Sequence, residues 1–134
     1  VATIKSFEDI DFWQKARALS IEIYAKTLEG SFSRDFSLRD QINRASGSIM
    51  DNIAEGFERG GNKEFIQFLS YSKGSCGEVR SQLLRAKDRK HLSDEDFEQL
   101  SAKALEVGKQ IGGFMNYLSK SEIKGTKFIK RNDN

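Results

Sequence analysis

Apolar residues recur every three or four positions in four separate stretches of the chain, the period of an amphipathic α-helix. The pattern predicts helices over residues 10–28, 38–58, 63–89 and 94–119. The fourth stretch is the most regular, with an apolar residue at every such step from Phe97 to Leu118. The predicted inner positions of the other three are Ile10, Trp13, Ala16, Ser20, Ile23, Tyr24 and Thr27; Leu38, Ile42, Ala45, Ile49, Ile53 and Phe57; and Phe65, Phe68, Leu69, Ser72, Cys76, Val79, Leu83 and Ala86.

Residues between these stretches carry signals for helix ends. Candidate N-terminal caps are Asp11 with Gln14, Ser37 with Asp40, Asn62, and Ser93 with Asp96. Gly60 follows Arg59 where a left-handed residue would end the second helix, so the Gly60-Gly61 pair predicts a hinge rather than a ligand-binding loop. Links of roughly 4 to 8 residues force successive helices to pack side by side. The expected fold is all-α, an antiparallel up-down-up-down four-helix bundle over residues 1–119.

Composition fits one folded domain in the 134 residues, with 37% hydrophobic residues, 31% charged residues and no proline. The net charge of +2 is unevenly placed, because residues 120–134 hold five Lys/Arg against two Asp/Glu. We therefore expect a basic, flexible C-terminal tail. One cysteine excludes an internal disulfide, and no apolar run has the length of a membrane span or signal peptide. These features predict a cytoplasmic protein with no membrane partner.

Glycines inside the predicted third and fourth helices point to self-association. Each mid-helix glycine costs about 1 kcal/mol relative to alanine, so some close contact should offset the cost. Small residues form a stripe on the third helix opposite its predicted core face, and small or apolar residues form a second stripe on the fourth helix, about 90° around from its core face. Together they give the candidate interface Ser70, Gly74, Gly77, Ser81, Leu105, Gly108, Gly112 and Met115. The alternative is that these glycines are tolerated or relieve crowding within one bundle.

Two basic groups are candidate nucleic-acid contacts. The first is a basic cluster at the end of the third helix, where positive charge also complements the helix dipole. Arg80 belongs to this cluster, and its candidate contacts are Arg85, Lys87, Arg89 and Lys90. The second lies in the tail, where Lys124, Lys127, Lys130 and Arg131 surround Phe128 and Ile129. Phosphate contacts and ordinary solvation both remain open for these groups.

Catalytic and metal chemistry find little support in the sequence. His91, the one histidine, is expected to be an exposed loop residue, and Cys76 a small buried hydrophobe. Arg44, Asp51 and Glu55 fall on one side of the second helix and favour ordinary solvated charges over a site. The alternative is an enzyme site formed between subunits, which predicts a deep pocket lined by these three residues. We expect no enzyme activity, no cofactor and no metal.

Four motifs resemble one bacterial family: FEDIDFWQKA at 7–16, QINRASGSIMDNIAEGFER at 41–59, NKEFIQFL at 62–69 and LSDEDFEQL at 92–100. The family was first noted as open reading frames in intervening sequences of 23S ribosomal RNA genes. The resemblance implies a four-helix bundle, commonly a homopentamer, without enzymatic activity. Residues matching the family pattern, and carried over as structural or interface candidates, are Trp13, Arg44, Ser48, Asn52, Glu55, Gly56 and Phe57.

The sequence departs from the family at Met50, where proline is frequent. A related accessory protein of diversity-generating retroelements binds a reverse transcriptase and nucleic acid through a basic surface, whereas the bundle here holds 17 Lys/Arg against 18 Asp/Glu and has a net charge of −1. The resemblance predicts a non-enzymatic homo-oligomer, with itself and RNA or a protein as partners. The alternative is a protein-protein adaptor without nucleic-acid affinity.

Overall fold

The computed structural model describes residues 4–123 and contains two short 3-10 helices and four long α-helices in that range. The α-helices are α1 (Asp11–Thr27), α2 (Phe36–Glu58), α3 (Asn62–Asp88) and α4 (Asp94–Ile123). The 3-10 helices are Phe7–Asp9, before α1, and Gly30–Arg34, between α1 and α2. The all-α prediction is confirmed. Helix α4 continues beyond the predicted end at residue 119, and the remaining tail lies outside the described residues.

Successive helices run antiparallel. At one end of the α2–α3 pair, Arg85 donates a hydrogen bond to Gln41 (3.2 Å), and at the other end Gly56 lies against Phe68. The residue numbers therefore rise along α2 as they fall along α3. The start of α1 likewise meets the end of α4, where the rings of Phe12 and Phe114 have a centroid distance of 5.4 Å.

The same reversal holds for α4 against its two neighbours. Lys87 lies over the Phe97 ring near the start of α4, and Phe65 meets Phe114 near its end. Lys26, at the end of α1, pairs with Asp96 at 3.0 Å. Since α4 is antiparallel to both α1 and α3, the bundle has up-down-up-down order.

Buried apolar side chains from all four helices form one core. The predicted inner faces of α2, α3 and α4 are buried, apart from Phe68 and Phe114, which lie at its edge. The prediction for α1 is partly wrong. Leu19 and Phe12 are buried, whereas Tyr24 is 56% exposed, because the buried stripe of α1 passes through residues 12, 16, 19 and 23.

Two helix starts differ from the predicted caps. Asp35, not Ser37, caps α2, since its carboxylate accepts a hydrogen bond from the Leu38 amide (3.3 Å). Asn62 is the first residue of α3 and is buried, with Gly61 in the cap position.

The first predicted cap also differs, while two other signals are confirmed. Asp11 and Gln14 do not form a pair, because the Gln14 side chain donates to the Glu8 carbonyl oxygen (3.0 Å). Ser93 accepts a hydrogen bond from the Asp96 amide (3.0 Å) at the start of α4. Gly60 has φ +87°, so the left-handed hinge between α2 and α3 needs glycine.

Candidate functional site

The outward face of α3 is nearly without side chains along its middle turns. Ser70, Gly74, Gly77 and Ser81 are all exposed, and a Cβ added at Gly74 or Gly77 would meet no atom within 4 Å. Nothing within the described chain therefore requires glycine at these two positions. This strip is the part of the predicted interface that is open to another molecule.

The predicted stripe on α4 is divided between two environments. Leu105 is 38% exposed, whereas Met115 packs against the core. A Cβ at Gly108 would lie 3.5 Å from the Cys76 Cβ. A Cβ at Gly112 would lie 3.2 Å from a methylene carbon of a lysine on α3. Both glycines thus contribute to packing inside the chain, and their part in a contact between copies stays a prediction.

Gly56 is required where α2 and α3 approach each other. A Cβ there would lie 2.6 Å from the Phe68 Cβ and 3.1 Å from the Phe65 ring. Two other family-type residues are also structural, since Phe57 is in the core and buried Trp13 meets the Phe7 ring edge-on.

The polar family-type residues occupy the α2–α3 side of the bundle. Asn52 donates hydrogen bonds to the Ser48 hydroxyl and carbonyl oxygens, both at 2.9 Å, and the Ser75 hydroxyl reaches Ser48 from α3 (3.0 Å). Glu55 pairs with Arg59 at 3.0 Å on the surface. This arrangement connects the two helices and leaves Glu55 with a local partner.

A groove of about 210 Å³ lies beside these residues. Its lining includes Arg44, Ser48 and Glu78, but neither Asp51 nor Glu55. The candidate enzyme site built from Arg44, Asp51 and Glu55 is therefore not assembled within one chain.

Most of the basic group at the end of α3 has structural partners. Arg85 reaches α2, Lys87 lies 4.7 Å from the centre of the Phe97 ring, and Arg89 pairs with Asp35 at 2.8 Å. Lys90 is exposed and has φ +62°. Three of the four predicted nucleic-acid contacts thus hold helices together, while the four predicted in the tail lie outside the described residues.

His91 is not the exposed loop residue that the sequence predicted. Only 9% of its side chain is exposed. Its Nε2 lies 2.9 Å from Asp35 Oδ2, its Nδ1 lies 2.8 Å from Ser31 Oγ, and its ring stacks on Phe32. Hydrogen bonds from His91 and then Arg89 lower the pKa of Asp35 to about 2. This cluster ties the α3–α4 link to the start of α2.

A second groove, of about 160 Å³, separates α3 from α4. Its cationic lining residues are Lys73, Arg80 and Lys109, and its floor contains Cys76 and Gly108. Arg80 belongs to the basic cluster predicted at the end of the third helix, whereas Lys73 and Lys109 were not among the predicted contacts. The spacing of Lys73 and Arg80 by seven residues places both on one side of α3, which was the available signal.

Cys76 is 2% exposed, which confirms it as a small buried hydrophobe. Burial raises the pKa of its thiol to about 12, against a lowering influence of Lys73. The thiol is therefore poorly suited to act as a nucleophile in the folded chain.

A third groove, of about 300 Å³, lies between α1 and α4. Its floor includes Leu19 and Val107, and Lys103 spans it by pairing with Glu22 at 2.6 Å. Within residues 4–123, no group of three or more His, Cys, Asp or Glu side chains is placed to hold a metal ion. No helix in this described range combines the length and apolar character needed to cross a membrane.

A crystal structure at 1.70 Å from Bacteroides thetaiotaomicron VPI-5482, of a protein with unknown function from the S23 ribosomal protein family, has the same fold. The TM-score is 0.71 at 20% sequence identity, and the match covers 78% of this chain and 97% of that chain. No curated protein matches the chain significantly.

The family model described as 23S rRNA-intervening sequence protein matches residues 8–113, which include most of all four helices. That description names no reaction. The chain belongs to the family of 23S rRNA-intervening sequence proteins.

Proposed function

We propose that this protein is a non-enzymatic scaffold that assembles with copies of itself and binds RNA or another nucleic acid. The observation that supports assembly is the bare outward strip of α3. Gly74 and Gly77 each cost about 1 kcal/mol of helix stability, and no contact within residues 4–123 requires glycine at either position. A helix of another copy could approach this strip closely.

An apolar side chain lies beside the strip and would be covered by the same contact. Leu84 lies seven residues after Gly77 on the outward side of α3 and is 49% exposed. Covering apolar area stabilises association by roughly 25 cal/mol per Å². Five copies are proposed from the family resemblance, not from the surface itself.

Light scattering at micromolar concentration tests the assembly. The expected mass is a multiple of the 15.2 kDa chain, five-fold for the pentamer. Replacing Gly74 and Gly77 with Gln should lower the mass to one chain while the helical circular dichroism is retained. Gly47→Gln is the matched control, because Gly47 lies on α2 and is equally open around its missing Cβ. A wild-type chain that is monomeric under these conditions contradicts the proposal.

A protein-protein adaptor without nucleic-acid affinity is the second candidate, and one observation favours it. Ile21, Tyr24 and Leu28 lie on one side of α1 and are 62%, 56% and 56% exposed. An exposed apolar stripe of this kind suits a protein partner. Salt dependence separates the candidates, because RNA affinity should fall steeply with salt, while an adaptor should bind no RNA even at low salt.

A further inference from the structure

Three cationic side chains line the groove between α3 and α4. Lys73 and Arg80 line one wall, about 10.5 Å apart along the helix axis, and Lys109 lines the other. None of the three forms a hydrogen bond or ion pair with any residue between 4 and 123. Other cations of α3, such as Arg85 and Arg89, do have such partners.

Carboxylates near these positions in the sequence face other grooves. Glu78 lines the α2–α3 groove, and Glu106 lines the α1–α4 groove. No Asp or Glu lines the α3–α4 groove. Positive charge is therefore concentrated there without a counter-charge from the described chain.

Small residues make the groove accessible to a ligand. Gly77 adds no side chain to one edge of the groove, and Gly108 and Cys76 leave its floor without bulky side chains. A volume of about 160 Å³ is well below that of a typical pocket for a whole small molecule. It suits a phosphate group inserted between cationic walls, with the rest of the ligand outside.

We infer that the α3–α4 groove binds phosphate groups of a nucleic-acid backbone through Lys73, Arg80 and Lys109. This inference rests on the nucleic-acid part of the proposed function and gives it a location inside the bundle. Lysine and arginine bind phosphate through charge and hydrogen bonds, and displaced counterions make such binding strongly salt-dependent. Base identity is not read by these contacts.

Fluorescence anisotropy with a labelled single-stranded RNA of mixed sequence tests the site. The full chain is compared with the triple variant Lys73→Gln, Arg80→Gln and Lys109→Gln over a range of salt concentrations. Losing three contacts should lower the slope of log affinity against log salt by about 2, at about 0.7 per contact, and weaken binding on the order of 100-fold at 0.1 M salt.

The matched control replaces Arg34, Lys63 and Lys120 with Gln, which removes the same charge. These exposed cations also lack a partner within the described range and do not line the groove. The control should retain most of the affinity and slope. Equal losses in the two triple variants would show binding by overall charge and overturn the inference.

Two further measurements separate the sources of phosphate and the two proposals. Inorganic phosphate at constant ionic strength should displace the labelled RNA only weakly, whereas unlabelled RNA should displace it fully. Strong displacement by phosphate alone would assign the groove to a free anion and overturn the nucleic-acid inference. Light scattering of the triple variant should give the wild-type mass. If the triple variant were both smaller in mass and weaker in RNA binding, these cations would lie between copies, and the groove inference would be overturned. A wild-type chain that is monomeric but binds RNA through the groove would contradict only the proposed assembly.

Discussion

Replacing Gly56 with alanine is the sharpest test of helix packing. The added Cβ would lie 2.6 Å from the Phe68 Cβ, about 1 Å closer than carbon atoms pack comfortably. Because the Phe68 Cβ is fixed to its backbone, rotation of the ring cannot relieve the contact. Helices α2 and α3 must therefore separate locally.

The net effect is the difference between two opposing contributions. Overpacking costs about 1–3 kcal/mol, and alanine recovers about 1 kcal/mol of helix propensity. The difference is about 0–2 kcal/mol, so we expect Gly56→Ala to lower the free energy of unfolding by about 1 kcal/mol, equivalent to a Tm lower by roughly 4 °C in a domain of this size.

Gly47→Ala provides the comparison on the same helix. A Cβ at Gly47 meets nothing within 4 Å, so this change should raise the free energy of unfolding by roughly 0.5–1 kcal/mol. Urea unfolding can be followed by fluorescence of the single, buried Trp13 and by circular dichroism. A Gly56→Ala protein as stable as Gly47→Ala would refute the close approach of α2 and α3.

Three other outcomes follow from buried and clustered polar groups. Ser72→Ala should lower the free energy of unfolding by about 1 kcal/mol in urea titrations, because the buried Ser72 hydroxyl donates to the Ile49 carbonyl oxygen at 2.6 Å; no change would contradict this. The lowered pKa of Asp35 stabilises the fold above about pH 4, and this stability should be lost as the pH falls towards about 2. Asp35→Asn should remove that part of the pH profile measured by thermal unfolding, and an unchanged profile would contradict this role of Asp35. His91→Ala should raise the pKa of Asp35 in NMR titrations by removing its largest stabilising hydrogen bond, whereas an unchanged value would leave Arg89 as the only important partner.

The helical architecture was predictable because burial is encoded locally. Each step of three or four residues along α4 returns the chain to the same side, so the residues from Phe97 to Leu118 identify the buried face. Tyr24 has similar spacing on α1 but lies outside the buried stripe, since period alone does not fix the stripe's width. The cap at Asp35 was missed because Ser37, two residues later, carries an equally suitable side chain.

The candidate site was less predictable because it depends on contacts between distant residues. Arg89 and Asp35 are far apart in sequence, and so are Arg85 and Gln41. For this reason the basic cluster at the end of α3 looked like a binding surface in the sequence, although most of its side chains contact other helices in the structure. The spacing of Lys73 and Arg80 indicates that these two share one side of α3, but Lys109 joins them only when α3 and α4 pack, so the local pattern identifies the pair and not the groove.

The reactivity of the Cys76 thiol can report transient separation of α3 and α4. The single thiol lies beneath the groove between α3 and α4, against Gly108. A disulfide reagent can react with it only when those two helices part, so the labelling rate measures how often that seam opens under native conditions. A ligand bound across α3 and α4 would lower the labelling rate of Cys76, so its binding can be followed without an engineered probe.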